Sequence, residues 1–168
     1  RLIAFEQGGF RGDYSAGIQA AYRLLAEDVA EADVPRNAGT YNILGASAGS
    51  FRMESDVREI ERLMREAFGM ELNACLCLDT SVEKIQRMGC AEINLALCEE
   101  AVPAARILNQ KCGTPFLTGA PYGYAGTLAW LEKIGRQLGR EAGPVLRAAL
   151  KKRAAEAMQY RMYGMMLK

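Results

Sequence analysis

The chain has 168 residues, 50% of them hydrophobic and 24% charged, with a formal net charge of +1. This is enough length for one domain with a real core, and the near-neutral balance excludes a strong electrostatic pull toward nucleic acid or an anionic membrane. No apolar run is long enough to span a bilayer, no signal-peptide pattern opens the chain, and the absence of histidine removes Ser-His-Asp, Cys-His and His-zinc chemistry from anything this segment does alone.

Arg1 to Phe5 reads as a strand, and a start at Arg1 already inside a strand suggests a piece of a longer polypeptide. The loop EQGGFRGDYSAG follows, then a helix from about Ala16 to Ala30 with Ile18, Ala21, Tyr22, Leu25 and Val29 at helical spacing. Pro35, Asn37 and Gly39 mark a loop over 31–39, and Tyr41 to Leu44 is a short buried strand running into GASAGS. Asp56 with Glu59 gives a capping signal for a helix whose apolar face is Val57, Ile60, Met64 and Ala67, stopped by Gly69. Leu72 to Leu78 is the next strand. Thr80 and Glu83 predict a second capping box, for a short helix bearing Val82, Ile85 and Met88 and closed by Gly89.

Ile93 to Cys98 is a strand, Ala101 to Cys112 a helix ended by Gly113, Phe116 to Thr118 a strand, and Thr127 to Leu138 a helix stopped by Gly139. The tail from Pro144 to Lys168 is helical in composition and basic, a solvated helix leading toward a following domain. This alternation predicts an α/β, Rossmann-like three-layer domain with a mostly parallel sheet of about four to five strands flanked by helices. The domain is expected over 1–140, with a helical extension over 141–168.

The five cysteines form an odd set without Cys-x-x-Cys spacing, which fits a reduced, cytoplasmic compartment better than a disulfide framework. Cys98 closes the apolar run AEINLALC. In an open parallel sheet ligands bind beyond the carboxyl ends of the strands, so a thiol at such an end is a candidate metal ligand, against the alternative of a buried free cysteine. Cys75 and Cys77 alternate on a strand and so share a face; packing is their favoured role. Phe10, Arg11 and Gly12 follow the first strand and should approach the same crevice, where Arg11 could meet an anion. Tyr122 and Gly123 lie in a strand-to-helix loop that could line it.

Gly45-Ala46-Ser47-Ala48-Gly49 fits the G-x-S-x-G nucleophile elbow, and with QGGFRGDYSAG it resembles the opening motifs of patatin-like lipases. That resemblance implies a serine hydrolase using Ser47, but it requires a downstream Asp-Gly or Asp-Ala pair. After Asp56 the only aspartate is Asp79, followed by Thr80, so a tight strand-to-helix turn is the favoured reading.

A second resemblance runs through about 140 residues. GFRG, YNILG, the stretch from DVREIERLM to INLALC, and KCGTPFLTGAPYGYAGTLAWLEKIG occur in the order found in the nitrogenase component 1 family, and the chain most resembles the central domain of its alpha-type subunits. The resemblance implies a subunit of a nitrogenase-like oxidoreductase, cytoplasmic, with a homologous second subunit and an ATP-dependent iron–sulfur reductase as electron donor. It also implies an iron–sulfur-type metallocluster, of the iron–molybdenum kind, between domains, with Cys98 as its ligand and Phe10, Arg11, Gly12, Tyr122 and Gly123 around it. A non-catalytic scaffold for assembling such a cluster is the alternative. The isolated segment is expected to bind no cofactor and to be inactive.

Two departures bear on this. DYSAGIQAAYR places Ile18 or its neighbours where nitrogenase itself carries a histidine near its cofactor. Glu99 and Glu100 follow Cys98 directly, and carboxylates beside an anionic cluster are electrostatically unfavourable; either the bound species differs or the carboxylates point away.

Overall fold

A computed structural model describes residues 2–5, 12–47, 49 and 51–166. Four parallel strands, β1 (Thr40–Leu44), β2 (Glu71–Leu76), β3 (Ile93–Ala96) and β4 (Phe116–Thr118), form one sheet in the order β2-β1-β3-β4. The helices are α1 (Tyr14–Leu24), α2 (Met53–Phe68), α3 (Val82–Gln86), α4 (Val102–Cys112), α5 (Gly123–Leu138) and α6 (Pro144–Met166). The α/β layering follows from the alternation of periods, as the sequence indicates.

Each strand alternates its side chains between two cores. Tyr41 and Ile43 of β1, with Ile93 and Leu95 of β3, face a core built from α2, α5 and α6. Leu44 and Ala96 face the other, built from α1, α3 and α4. Val57, Ile60, Leu63, Met64 and Ala67 form the buried stripe of α2, and each large member contributes roughly 1.5–3 kcal/mol by leaving water. Leu146 and Leu150 tie the start of α6 into the same core, so the tail is anchored at its inner end and largely exposed over 151–160. No helix among the described residues is long and apolar enough to cross a membrane.

Several boundaries differ from the sequence reading. Residues 2–5 form no strand: Leu2 is 95% and Phe5 47% exposed, and no described backbone bond joins them to the sheet. An apolar run becomes a strand only when a ladder neighbour receives it. Helix α2 begins at Met53 after Arg52 in the left-handed region (φ 59), so Asp56 lies in its first turn and does not cap it. Ser81, not Thr80, caps α3 by accepting from Lys84 N at 3.3 Å. Gly89 does not end that helix, which tightens into a 3₁₀ turn over Arg87–Cys90. Cys75 is buried, whereas Cys77 lies past the end of β2 and is exposed, so the two share no face. The predicted stops Gly69, Gly113 and Gly139 each take the left-handed conformation at their helix ends.

Three asparagines sit among the apolar strand residues. Asn42 donates to Asn94 Oδ1 at 2.7 Å and to Met88 O at 2.8 Å, and accepts from Asn73 Nδ2 at 2.8 Å. The amide ladder crosses β2, β1 and β3 with Asn42 and Asn94 in register. Polar groups in such a sheet are tolerated where they bond one another; among the described residues of the strands, Asn94 Nδ2 and the Tyr41 hydroxyl are buried without a partner.

Candidate functional site

The chain order makes β1 and β3 neighbours whose onward connections leave in opposite directions, to β2 and to β4. Such a switch point opens a crevice beyond the strand ends. Backbone bonds past the strands fix its walls. Leu97 N donates to Leu44 O at 2.9 Å, Gly45 N and Ala46 N donate to Leu76 O at 3.0 and 3.1 Å, and Gly119 N donates to Ala96 O at 2.9 Å. The side chains after β1, β3 and β4 therefore start from set positions.

The crevice has a volume of about 400 Å³. Gly45 and Ser47 line it after β1, Leu97, Cys98 and Glu100 after β3, and Ala120, Pro121 and Tyr122 after β4. Helix α1 adds Tyr14, Ile18 and Tyr22, and the start of α2 adds Asp56, Glu59 and Ile60 beside Phe51 and Met53. Asp13 caps α1 by accepting from Ala16 N at 2.8 Å, which sets that wall.

Of the residues singled out in the sequence, Cys98 and Tyr122 line the crevice together. Gly12 (φ 96) and Gly123 (φ 63) have positive-φ backbones and do not line it. Phe10 and Arg11 lie outside the described residues. Sequence reasoning missed Tyr14, Tyr22, Phe51, Asp56 and Glu59 as lining residues. Their signal was position alone: Tyr14, Phe51 and Asp56 stand at or near a helix start, while Tyr22 and Glu59 lie further along α1 and α2.

Cys98 is half-buried, because β3 ends at Ala96 and the chain turns into the 3₁₀ turn Glu99–Ala101. Its sulfur lies 3.8 Å from Gly45 O and packs against the α1/α4 core. A Cβ on Gly45 would meet this sulfur at 2.6 Å and Ala101 Cβ at 3.1 Å, and Gly45 has φ +92. Glycine is needed there on both counts. Burial first, and then hydrogen bonding to the Glu100 carboxylate, push the Cys98 thiol above its ordinary range. Glu100 accepts from Ser15 Oγ at 2.7 Å, and this bond leads the causes that hold its carboxyl below the usual range. Burial pushes the Tyr22 phenol up as well, reinforced by the neighbouring Cys77, Cys98 and Cys75, so it stays an O–H donor.

Ser47 Oγ accepts from Gly49 N at 3.3 Å. No carboxylate bonds it among the described residues, and its backbone is not among those at positive φ, unlike the strained elbow of a serine hydrolase.

An anionic metallocluster does not fit this lining. Asp56 and Glu100 carry negative charge into it without a described ion-pair partner, and Glu59 is neutralised by Arg62 at 2.7 Å. No lysine or arginine lines it among the described residues. At an effective dielectric near 20, like unit charges about 7 Å apart repel by roughly 2 kcal/mol, less at an exposed rim. Glu100 is part of the lining, with its carboxylate held by Ser15 Oγ at 2.7 Å. No group of three or more potential ligands is assembled for a metal among the described residues either.

Comparison with known proteins places the chain. The model of the nitrogenase component 1 type oxidoreductases matches residues 1–166, and the chain belongs to that family. Among its relatives, a subunit of the light-independent protochlorophyllide reductase of Prosthecochloris aestuarii is 26% identical over 139 residues, covering 82% of this chain and 26% of that protein. The corresponding protein of Methylocella silvestris is 32% identical over 127 residues, 74% of this chain and 25% of the relative. A solved structure described as nitrogenase Cp1 at pH 5 superposes with a TM-score of 0.67 at 23% identity over 90% of this chain and 30% of its own, a likeness of fold. The chain spans about a quarter of the length of these curated relatives.

Proposed function

We propose that the chain is the central domain of a component 1-type reductase subunit, and that the crevice between the ends of β1 and β3 holds the molecule to be reduced. The observation that carries this is the convergence of residues from three of the family-like segments (Gly45, Cys98, Pro121 and Tyr122 among them) on one cavity at the switch point of the sheet. Electrons would come from an ATP-dependent iron–sulfur reductase, with a homologous subunit completing the complex.

Reduction consumes protons as well as electrons. In a chain without histidine, the Tyr22 phenol and the Cys98 thiol are the described lining groups whose protons burial holds more tightly. Both can donate hydrogen bonds to a bound molecule, and Ser15 holds Glu100 in place to accept one from it. The turn bearing Tyr122 is steadied by Trp130, whose Nε1 donates to Gly119 O at 2.9 Å.

The test uses the full-length parent with its companion subunit. The expected result is substrate-dependent oxidation of a reduced iron–sulfur donor protein that requires ATP hydrolysis. Transfer of a metallocluster to an apo-enzyme, without turnover of any reducible substrate, would assign the scaffold role instead.

A further inference from the structure

We propose that the crevice admits an organic molecule bearing uncharged or cationic nitrogen groups and refuses an anionic metallocluster, leaving Cys98 as wall rather than ligand. This rests on the reductase reading above and names the kind of molecule its site takes. Three independent features of the lining lead to it.

The first is charge. Among the described residues, Glu100 and Asp56 are the charges at the crevice without a described ion-pair partner, and Arg62 is engaged by Glu59 and Glu66. Even with the charge of Arg11 counted in full, two carboxylates against one guanidinium leave the set negative. Such a set accepts N–H donors and cations.

The second is the placement of the sulfur. Cys98 Sγ is set against the Gly45 carbonyl and the methyl of Ala101, in the close approach that only glycine at position 45 permits. A ligating thiolate would have to give up this seat and the acceptors that hold its proton.

The third is the mouth. Tyr14, Phe51 and Tyr122 are 72%, 90% and 81% exposed there. Aromatic surface beside carboxylates suits an organic body, and aromatic faces attract positive charge.

The experiment uses the full-length complex, purified without oxygen. Cys98 is first alkylated with iodoacetamide in the metal-loaded protein and again after chelator treatment, with the modified fraction read by mass spectrometry. Equal modification in the two states is expected; protection that chelation relieves would overturn the proposal by showing a ligated sulfur. Benzyltrimethylammonium and benzenesulfonate are then titrated by calorimetry. The cation should bind at least about tenfold more tightly, and the gap should close in an Asp56→Asn, Glu100→Gln double variant. Equal or tighter binding of the sulfonate, or binding of neither probe, would overturn the proposal. These readouts involve no turnover, so failed ATP-dependent reduction would defeat the reductase reading and leave them standing, whereas sulfonate preference would leave that reading intact.

Discussion

Replacing Gly45 with alanine puts the seat of Cys98 under direct test. At φ +92 an L side chain costs about 1–2 kcal/mol from backbone strain alone. The new methyl would also sit 2.6 Å from Cys98 Sγ and 3.1 Å from Ala101 Cβ, far inside contact distance. Overpacking of this kind adds about 1–3 kcal/mol. The sum, about 2–5 kcal/mol, lowers Tm by roughly 4–20 °C for a domain of this size. Urea unfolding followed by the fluorescence of Trp130, the sole tryptophan and 4% exposed, measures it. Adding Cys98→Ala should return the sulfur's part of the collision and leave the strain and the Ala101 contact, a coupling of about 1–3 kcal/mol between the two positions. A loss below about 1 kcal/mol, or one that Cys98→Ala leaves unchanged, would refute the placement of the sulfur against Gly45.

Asn42→Ala removes the centre of the amide ladder, leaves Asn73 Nδ2 only its 3.4 Å bond to Arg87 O, and leaves both polar atoms of Asn94 unpaired. The expected cost is about 3 kcal/mol or more by denaturant titration. Burial pushes the Cys75 thiol up to about 11, so the unfolded chain releases this proton first as pH rises. Stability should therefore fall from the ordinary thiol range toward pH 11, and Cys75→Val should flatten that part of the profile. Arg36 donates to Ala91 O at 2.7 Å, Thr114 Oγ1 at 3.0 Å and Cys112 O at 2.8 Å. Lysine cannot reproduce that fork, and Arg36→Lys should cost about 1.5–3 kcal/mol in the same assay. Ser47 should stay unlabelled by a fluorophosphonate probe, since no described base activates it.

The layering, all four strands of the sheet and the glycine-ended helices were legible because period and punctuation are local properties. Helix starts were less so. Asp56 and Thr80 carry side chains suited to capping, but the tertiary path of the chain places the first turns at Met53 and after Ser81. Nothing in the run Arg1 to Phe5 reveals whether a neighbour is there to pair with it. Cys98 could be placed at a strand end from the sequence. That its sulfur turns toward Gly45, and that Glu100 faces the crevice while Asp56 approaches from α2, depends on contacts between segments more than 40 residues apart. The asparagine ladder left a faint signal, three amides inside apolar runs where strand propensity disfavours them. Their mutual register required the sheet order.

The most direct test of the crevice as the seat of reduction is to fill it. Ser47→Trp in the full-length complex places an indole at the wall after β1, close to Tyr122 and Cys98 on the lining. Reductive turnover with ATP and the iron–sulfur donor should fall by at least about tenfold, a loss of roughly 1.4 kcal/mol or more of transition-state stabilisation, with the unfolding midpoint held. Turnover at the wild-type rate with the crevice filled would contradict the account.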